Sequence, residues 1–164
     1  MIFVTVGTHE QPFNRLVEYM DRWAGEHDEE VIMQTGFTKI EPVNCKWFKI
    51  TDHDEFMDLI NKARIVVTHG GPCCFSKVLK SGKIPVVVPR SHKKGEHIDD
   101  HQIEITRAIE EKYHNIILIE DIEKLGDALE NYDSITAKLS KPGFENNNRE
   151  FCDALSRIVD GLFD

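Results

Sequence analysis

Residues 64–72, RIVVTHGGP, join an apolar run to a glycine turn and decide the fold class. The run is rich in β-branched residues and lacks in–out alternation, which is typical of a strand buried on both faces of a parallel sheet. A helix is predicted after the turn, over residues 73–81, with Gly82 as its end signal. A strand that passes through a tight turn into a helix is the repeating unit of α/β proteins.

The same alternation extends through the chain in both directions. Short apolar runs predict further strands at residues 2–6, 31–34, 46–50, 84–89 and 115–119. Helical spacing of apolar residues predicts further helices at about residues 12–24, 54–63, 101–112 and 122–131. We therefore predict an α/β fold, a Rossmann-like parallel sheet with helices on both faces. Ligands of such folds bind at the loops that leave the carboxyl ends of the strands.

The length of 164 residues suits one domain, so residues 1–164 are predicted to form a single nucleotide-binding domain. Residues 132–147 are polar and contain Pro142-Gly143, which predicts a connector. An apolar stripe then predicts an amphipathic helix over residues 147–163. This helix could pack on its own sheet or on a partner.

Composition limits the function classes. The net charge of −9 disfavours general nucleic-acid binding, which usually needs a basic footprint. The cysteines form no CxxC pair, so a zinc knuckle or a thioredoxin-like motif is not expected. No run approaches the roughly 20 apolar residues that span a bilayer, and the first residues lack a basic segment, so a cytoplasmic protein is expected.

The loop after the first predicted strand contains Gly7, Thr8 and His9. Gly7 allows a tight turn with the backbone close to a ligand, and Thr8 offers a hydroxyl near a helix N-terminus. His9 is the candidate general base of this chain. The alternative is a capped strand–helix turn with an exposed polar histidine.

The loop after the fourth predicted strand is His69-Gly70-Gly71-Pro72. Its glycines expose backbone N–H groups at the positive end of the following helix, which predicts an anion site. The pattern is neither GxGxxG nor a P-loop, so NAD binding and ATP hydrolysis are not supported. A tight crossover turn without a ligand is the alternative.

The loop after the fifth predicted strand gathers cations and histidines in an acidic protein. Its basic side chains suit phosphates, and its carboxylates and Gln102 suit sugar hydroxyls. The candidate binding residues in this stretch are Arg90, Glu96, His97, Asp100, His101 and Gln102. The alternatives are a solvated charged loop or a zinc site formed by His92, His97 and His101.

Four motifs together resemble the C-terminal half of family 28 glycosyltransferases. They are Gly7-Thr8, Thr68-His69-Gly70-Gly71, the stretch at residues 82–90, and Gly95-Glu96-His97 with Asp100-His101-Gln102. The similarity covers about residues 1–130. The sequence is most similar to small Alg13-like subunits, in particular those of bacterial capsule and exopolysaccharide galactosyltransferases.

The resemblance implies the donor-binding half of a GT-B enzyme, which holds a UDP-sugar and needs no metal or other cofactor. It implies inverting transfer to a lipid-linked acceptor, with a membrane-associated Alg14-like partner that holds the chain at the inner face of the membrane. The turns at Gly7-Thr8 and at residues 69–71 would hold the diphosphate, residues 96–102 would contact the ribose and the sugar, and residues 50–54 would lie near the uracil.

One position departs from the family pattern. Many relatives place a glutamate that can hold the ribose where this chain has Lys77. A cation cannot accept hydrogen bonds from ribose hydroxyls, so either Glu96 takes that role or Lys77 offsets the diphosphate charge. Two other functions stay open, a non-catalytic UDP-sugar-binding regulatory subunit and a nucleotide-sugar epimerase. The second normally needs both GT-B halves in one chain.

Overall fold

The computed structural model describes residues 1–139, and its strands are all parallel. The strands of this part of the chain are β1 (Ile2–Thr5), β2 (Val31–Gln34), β3 (Lys46–Phe48), β4 (Ile65–His69), β5 (Val86–Val88) and β6 (Ile117–Leu118). The α-helices are α1 (Asn14–Glu26), α2 (His53–Lys62), α3 (Pro72–Lys80), α4 (His101–Tyr113), α5 (Leu125–Glu130) and α6 (Tyr132–Thr136). Single 3₁₀ turns lie at His92–Lys94 and Ile122–Lys124.

The sheet is covered by helices on both faces, which confirms the predicted fold class. Alternate residues of β1 point to opposite faces: Ile2 and Val4 belong to the cluster that includes Leu16 of α1. Phe3 belongs to the other cluster, where its ring meets that of Phe56 of α2 edge-on at 5.5 Å. The continuous apolar runs are explained by this burial, because neither face of the central strands meets water.

The strand order is β3-β2-β1-β4-β5-β6. It reverses between β1 and β4, which are neighbours in the sheet although two strands separate them in sequence. Connections from β1 and β4 therefore leave in opposite directions along the sheet and open a crevice at its carboxyl edge. Such a topological switch point is where α/β proteins of this order bind ligands.

Local boundaries differ from the sequence-based ones in a way that affects the site. His69 is the last residue of β4 and pairs with Val88, so it belongs to the strand and not to the turn. Pro72 is the first residue of α3, where its missing N–H costs nothing. Asp52 caps α2 by accepting a hydrogen bond from the Glu55 N–H at 2.9 Å.

The predicted connector at residues 132–147 is wrong in its first part, because Tyr132–Thr136 forms the helix α6. Tyr132 is only 7% exposed, and its hydroxyl donates a hydrogen bond to the Ile84 carbonyl at 2.6 Å. The polar composition of this segment gave no indication that Tyr132 would be buried against the core. Residues 140–147 of the connector and the predicted helix at 147–163 lie outside the described residues. None of the helices in residues 1–139 is long and apolar enough to cross a membrane.

Candidate ligand-binding site

A cavity of about 520 Å³ opens at the crevice between β1 and β4. Its wall is formed by the loops after β1 and β3, by the last residues of β2 and β4, and by residues in the first two turns of α2, α3 and α4. The lining residues are Gly7, Thr8, His9, Gln34, Thr51, Asp52, His53, Phe56, His69, Cys73, Cys74, Lys77 and Gln102. Of the sequence-predicted candidates, Gly7, Thr8, His9, His69 and Gln102 therefore meet at one cavity.

The imidazole of His69 fills the space between the two glycine turns and is 8% exposed. A Cβ added to Gly7 would lie 2.4 Å from His69 Cε1, and one added to Gly71 would lie 2.3 Å from His69 Nε2. Gly7 also has a φ of +76°, which disfavours any side chain. Both glycines are thus required by the histidine ring, whatever ligand the turns bind.

His69 is a neutral base at neutral pH. Burial lowers its pKa to about 4 and the positive charge of Arg90 acts in the same direction, while a hydrogen bond with the Thr5 backbone opposes them. Its Nδ1 has no hydrogen-bond partner. A buried polar atom without a partner is costly in a finished protein interior, so this atom marks a place where a ligand or ordered water completes the site.

Arg90 does not present a free cation to the cavity, which differs from the sequence-based expectation. Its side chain is fully buried. Nη1 donates to the carbonyls of Gln11 at 2.8 Å and Glu96 at 3.0 Å, and Nη2 donates to the Val6 carbonyl at 2.8 Å. The guanidinium also lies 4.7 Å from the Phe13 ring centroid. Arg90 therefore ties the loop after β5 to the loop after β1.

Glu96 is likewise used inside the protein. Its carboxylate accepts hydrogen bonds from Arg15 Nε at 2.8 Å and Arg15 Nη2 at 2.9 Å, and a third from the Ser91 N–H at 3.0 Å. Asp100 accepts the His92 N–H at 2.8 Å and so closes the 3₁₀ turn. Neither carboxylate therefore lies at the cavity wall, where the predicted contacts with ribose and sugar would require it.

Gln102 is the residue of the third loop that reaches the cavity. Its Oε1 accepts the Arg90 N–H at 3.1 Å, which leaves the amide N–H groups for other acceptors. A Cβ on Gly70 would lie 3.0 Å from the Gln102 Cβ, so Gly70 permits this close approach. The backbone of the Gly-Gly turn and the first turn of α4 therefore pack directly on each other.

A pair of histidines joins the first and third loops. The rings of His9 and His97 lie 4.7 Å apart at an angle of 43°. His97 Nδ1 lies 2.9 Å from Asp99 Oδ1, and His9 Nδ1 accepts the Gln11 N–H at 3.2 Å. Burial lowers the pKa of His9, and the neighbouring His97 and Arg90 lower it further. His9 lines the cavity, whereas His97 lies behind it.

The remaining histidine candidates do not form a metal site. His101 lies exposed on α4, with Nδ1 3.7 Å from Glu104 Oε2. Within residues 1–139, no group of three or more histidine, cysteine, aspartate or glutamate side chains is placed to hold a metal ion. The zinc alternative for His92, His97 and His101 has no geometric basis in this part of the chain.

Sequence reasoning missed part of the cavity wall. Gln34 is the last residue of β2. Phe56 lies in the first turn of α2, and Cys73 and Cys74 lie in the first turn of α3. The rule that loops at the carboxyl edge line the site could have found Gln34, because β2 is the neighbour of β1. Lys77 lies in the wall as well, with its ammonium 5.1 Å from the Phe56 ring centroid.

The sheet order and the cavity at its switch point define a doubly wound α/β protein with a ligand site at the carboxyl edge. Residues 1–158 match the glycosyltransferase family 28 C-terminal domain, and the chain belongs to this family. Comparison with curated proteins finds no match.

Solved structures share the fold at low sequence identity. MurG of Acinetobacter baumannii matches with a TM-score of 0.53 and 13% identity, over 80% of this chain and 41% of that chain. A UDP-GlcNAc 2-epimerase of Neisseria meningitidis, bound to UDP-GlcNAc, matches with a TM-score of 0.54 and 12% identity, over 95% and 43%. The chain thus spans less than half the length of either protein.

Proposed function

We propose that this chain is the UDP-sugar-binding half of an inverting glycosyltransferase, with galactose or a related hexose as the transferred sugar. The observation that carries the proposal is the cavity at the switch point, where two glycine turns surround the buried, neutral His69, whose Nδ1 has no hydrogen-bond partner. Membership of the family and the motifs at residues 7–8, 69–72 and 100–102 support a nucleotide-sugar ligand.

The groups around the cavity suit a leaving diphosphate. Its developing negative charge needs fixed dipoles and cations, because no metal is part of the proposal. The first turn of α3 carries the positive end of the helix dipole, and because Pro72 has no N–H and the Cys74 N–H donates to the Gly71 carbonyl at 3.0 Å, Cys73 is left to supply a backbone N–H to the diphosphate. Lys77 is the cation of the cavity wall, so it takes the role that sequence reasoning gave to Arg90.

The acceptor site is proposed to lie on a second polypeptide, a membrane-associated Alg14-like subunit that presents a lipid-linked saccharide. Three exposed apolar side chains lie in loops that follow the carboxyl ends of strands: Phe37 and Ile50 are each 52% exposed and Ile98 is 69% exposed. These residues follow β2, β3 and β5, so a partner that covers them would close the crevice over the sugar. Through that partner the complex would work at the inner face of the membrane.

The alternative is a regulatory subunit that binds a UDP-sugar without catalysis. It is favoured by the internal use of Glu96 and Asp100, which removes these two carboxylates from the acid–base groups at the cavity. Release of UDP in the presence of partner and acceptor distinguishes the enzyme from the regulatory subunit.

The first experiment is calorimetric titration of the chain with UDP, UDP-galactose, UDP-glucose and NAD, with and without EDTA. We expect UDP compounds to bind, EDTA to have no effect and NAD not to bind. Absence of UDP binding, with or without an Alg14-like partner, would overturn the proposal.

The matched variants are Gly7→Ala and Gly82→Ala. Both glycines have a left-handed φ, +76° and +81°, but a Cβ at Gly82 meets no atom within 4 Å. Backbone strain is therefore common to both, and only Gly7→Ala displaces the His69 ring. We expect Gly7→Ala to lower UDP affinity at least tenfold, and Gly82→Ala to bind UDP like the wild type.

A further inference from the structure

A backbone hydrogen bond favours one tautomer of the neutral His9 ring. Its Nδ1 accepts the backbone N–H of Gln11 at 3.2 Å, so the lone pair of that nitrogen is already used. A neutral imidazole carries one N–H and one lone pair. With the lone pair on Nδ1, the hydrogen of the neutral ring is on Nε2. In this arrangement His9 can donate a hydrogen bond but has no free basic nitrogen.

The surroundings of His9 favour that neutral form. A second proton would have to go on Nδ1, where it would face the Gln11 N–H and break the bond between them. Burial disfavours the imidazolium, and so do the neighbouring His97 and the positive charge of Arg90. The titratable groups that act on His9 are His97 and Arg90, which lower its pKa, and Glu10 and Asp99, which raise it.

The ring of His9 also packs against the ring of His97. His97 contacts it with ring centroids 4.7 Å apart, and the His97 side chain is 15% exposed. Asp99 Oδ1 lies 2.9 Å from His97 Nδ1 and also accepts the His101 N–H at 3.1 Å. The carboxylate thus joins the histidine pair to the first residue of α4. His97 and Asp99 do not line the cavity, so they are positioning residues for His9.

We propose that His9 is a neutral hydrogen-bond donor to the diphosphate through Nε2, and not the general base of the transfer. The inference rests on the proposed function. In the transfer the acceptor oxygen bonds to the anomeric carbon, the bond from that carbon to the diphosphate oxygen breaks, and the diphosphate keeps the electron pair. The hydroxyl proton goes to a base supplied with the acceptor, while the His9 proton stays on Nε2. A fixed neutral donor stabilises the developing charge without proton transfer.

The direct test is nuclear magnetic resonance of the full chain with ¹⁵N-labelled histidine, which reports the tautomer of each ring. The His9 signals are assigned from their loss in His9→Gln. We expect the Nε2–H tautomer in the free protein and a pKa below the ordinary 6.5. An Nδ1–H tautomer, or a pKa above 6.5, would overturn the inference.

Ligand titrations in the same experiment separate the two proposals. UDP should shift the Nε2 signals of His9 and raise its pKa, because the diphosphate adds negative charge beside the ring. Uridine, compared at equal occupancy from backbone amide shifts, should leave both unchanged. If UDP does not bind at all, the proposed function fails. If UDP binds while the His9 ring does not respond, the proposed function stands and this inference fails.

Variants give an independent measurement. His9→Leu should weaken UDP binding about tenfold through loss of one hydrogen bond to a charged group, and His9→Gln, which keeps an N–H near the position of Nε2, should retain most of the affinity. His114→Asn is the matched control, since His114 ends α4 in a left-handed conformation that asparagine adopts readily.

Asp99→Asn should shift the tautomer balance of His97 and broaden the His9 signals. Unchanged spectra would show that Asp99 does not position His9.

Discussion

The turns after β1 and β4 and the longer loop after β5 meet at the same edge of the sheet, but their polar groups are used in opposite ways. At the first two turns the fold leaves His69 Nδ1 without a partner and keeps two glycines to make room for the ring. In the third loop both terminal nitrogens of Arg90 and the carboxylate of Glu96 have partners inside the protein, although Arg90 Nε has none. The turns therefore leave a group available at the cavity, while most hydrogen bonds of the charged loop are made within the protein.

The difference shows that residue type alone does not identify a binding residue. A cation or carboxylate in a loop after a parallel strand is available to a ligand only if the fold has not already satisfied it. Arg90 and Glu96 organise the loop, and the loop in turn carries Gln102 to the cavity and His97 to the ring of His9. Their contribution to binding is then indirect.

The largest expected effect is on stability, from Arg90→Leu. Removal of the guanidinium leaves three backbone carbonyls without their donor and Glu96 near an unoccupied space, so the free energy of unfolding should fall by about 3–5 kcal/mol. Urea unfolding measures this. Arg107→Leu is the control, because Arg107 pairs with Glu120 on the surface and should cost less than about 1 kcal/mol. A stable Arg90→Leu protein that has lost UDP binding would instead make Arg90 a ligand cation.

The next effect is the dependence of stability on pH that the buried His69 produces. The folded-state pKa of His69 is about 4 and the unfolded value is 6.5, so between these pH values the unfolded chain binds a proton that the folded chain does not. Stability should therefore fall as the pH decreases from about 6.5 to 4, with about 3 kcal/mol of the loss due to His69. Urea unfolding of the wild type and of His69→Gln across this range measures the difference. Parallel curves for the two proteins would contradict a buried neutral His69.

The smallest expected effect comes from Glu96→Gln, which distinguishes the charged loop after β5 from the glycine turns after β1 and β4. Glu96→Gln should lower the free energy of unfolding by about 1–3 kcal/mol, because the half-buried Arg15 loses its charged partner. UDP affinity should change less than twofold. Glu120→Gln breaks an exposed pair of the same type and should change stability by less than about 1 kcal/mol. A tenfold loss of UDP affinity in Glu96→Gln at unchanged stability would place Glu96 on the ribose.

The fold was predictable from local patterns. Apolar runs at residues 2–6, 31–34 and 64–68 follow the burial of a parallel sheet, and each of them contains, matches or overlaps an observed strand. The error at residues 132–136 arose because one buried tyrosine, Tyr132, anchors α6 against Ile84 from 48 residues away. Composition averaged over a segment does not report a single distant contact.

The candidate site was predictable only in part. The turns at Gly7 and Gly71 and the position of Gln102 followed from residue type and from the carboxyl-edge rule. The internal use of the charged loop did not, because Arg90 meets Gln11 across 79 positions and Glu96 meets Arg15 across 81. Nothing near Arg90 or Glu96 in sequence indicates these partners.

The sequence by itself determined a parallel α/β sheet, the edge at which the candidate site lies and the family to which the chain belongs. These depend on periodicity and on short motifs, which are local properties of the chain. The tertiary structure alone decided which polar groups stay free at that edge: His69 and Gln102 reach the cavity, while Arg90 and Glu96 are used to build it. The physical reason is that a hydrogen-bonding group is satisfied by whatever the fold brings within about 3 Å, and that neighbour can come from any distance along the chain.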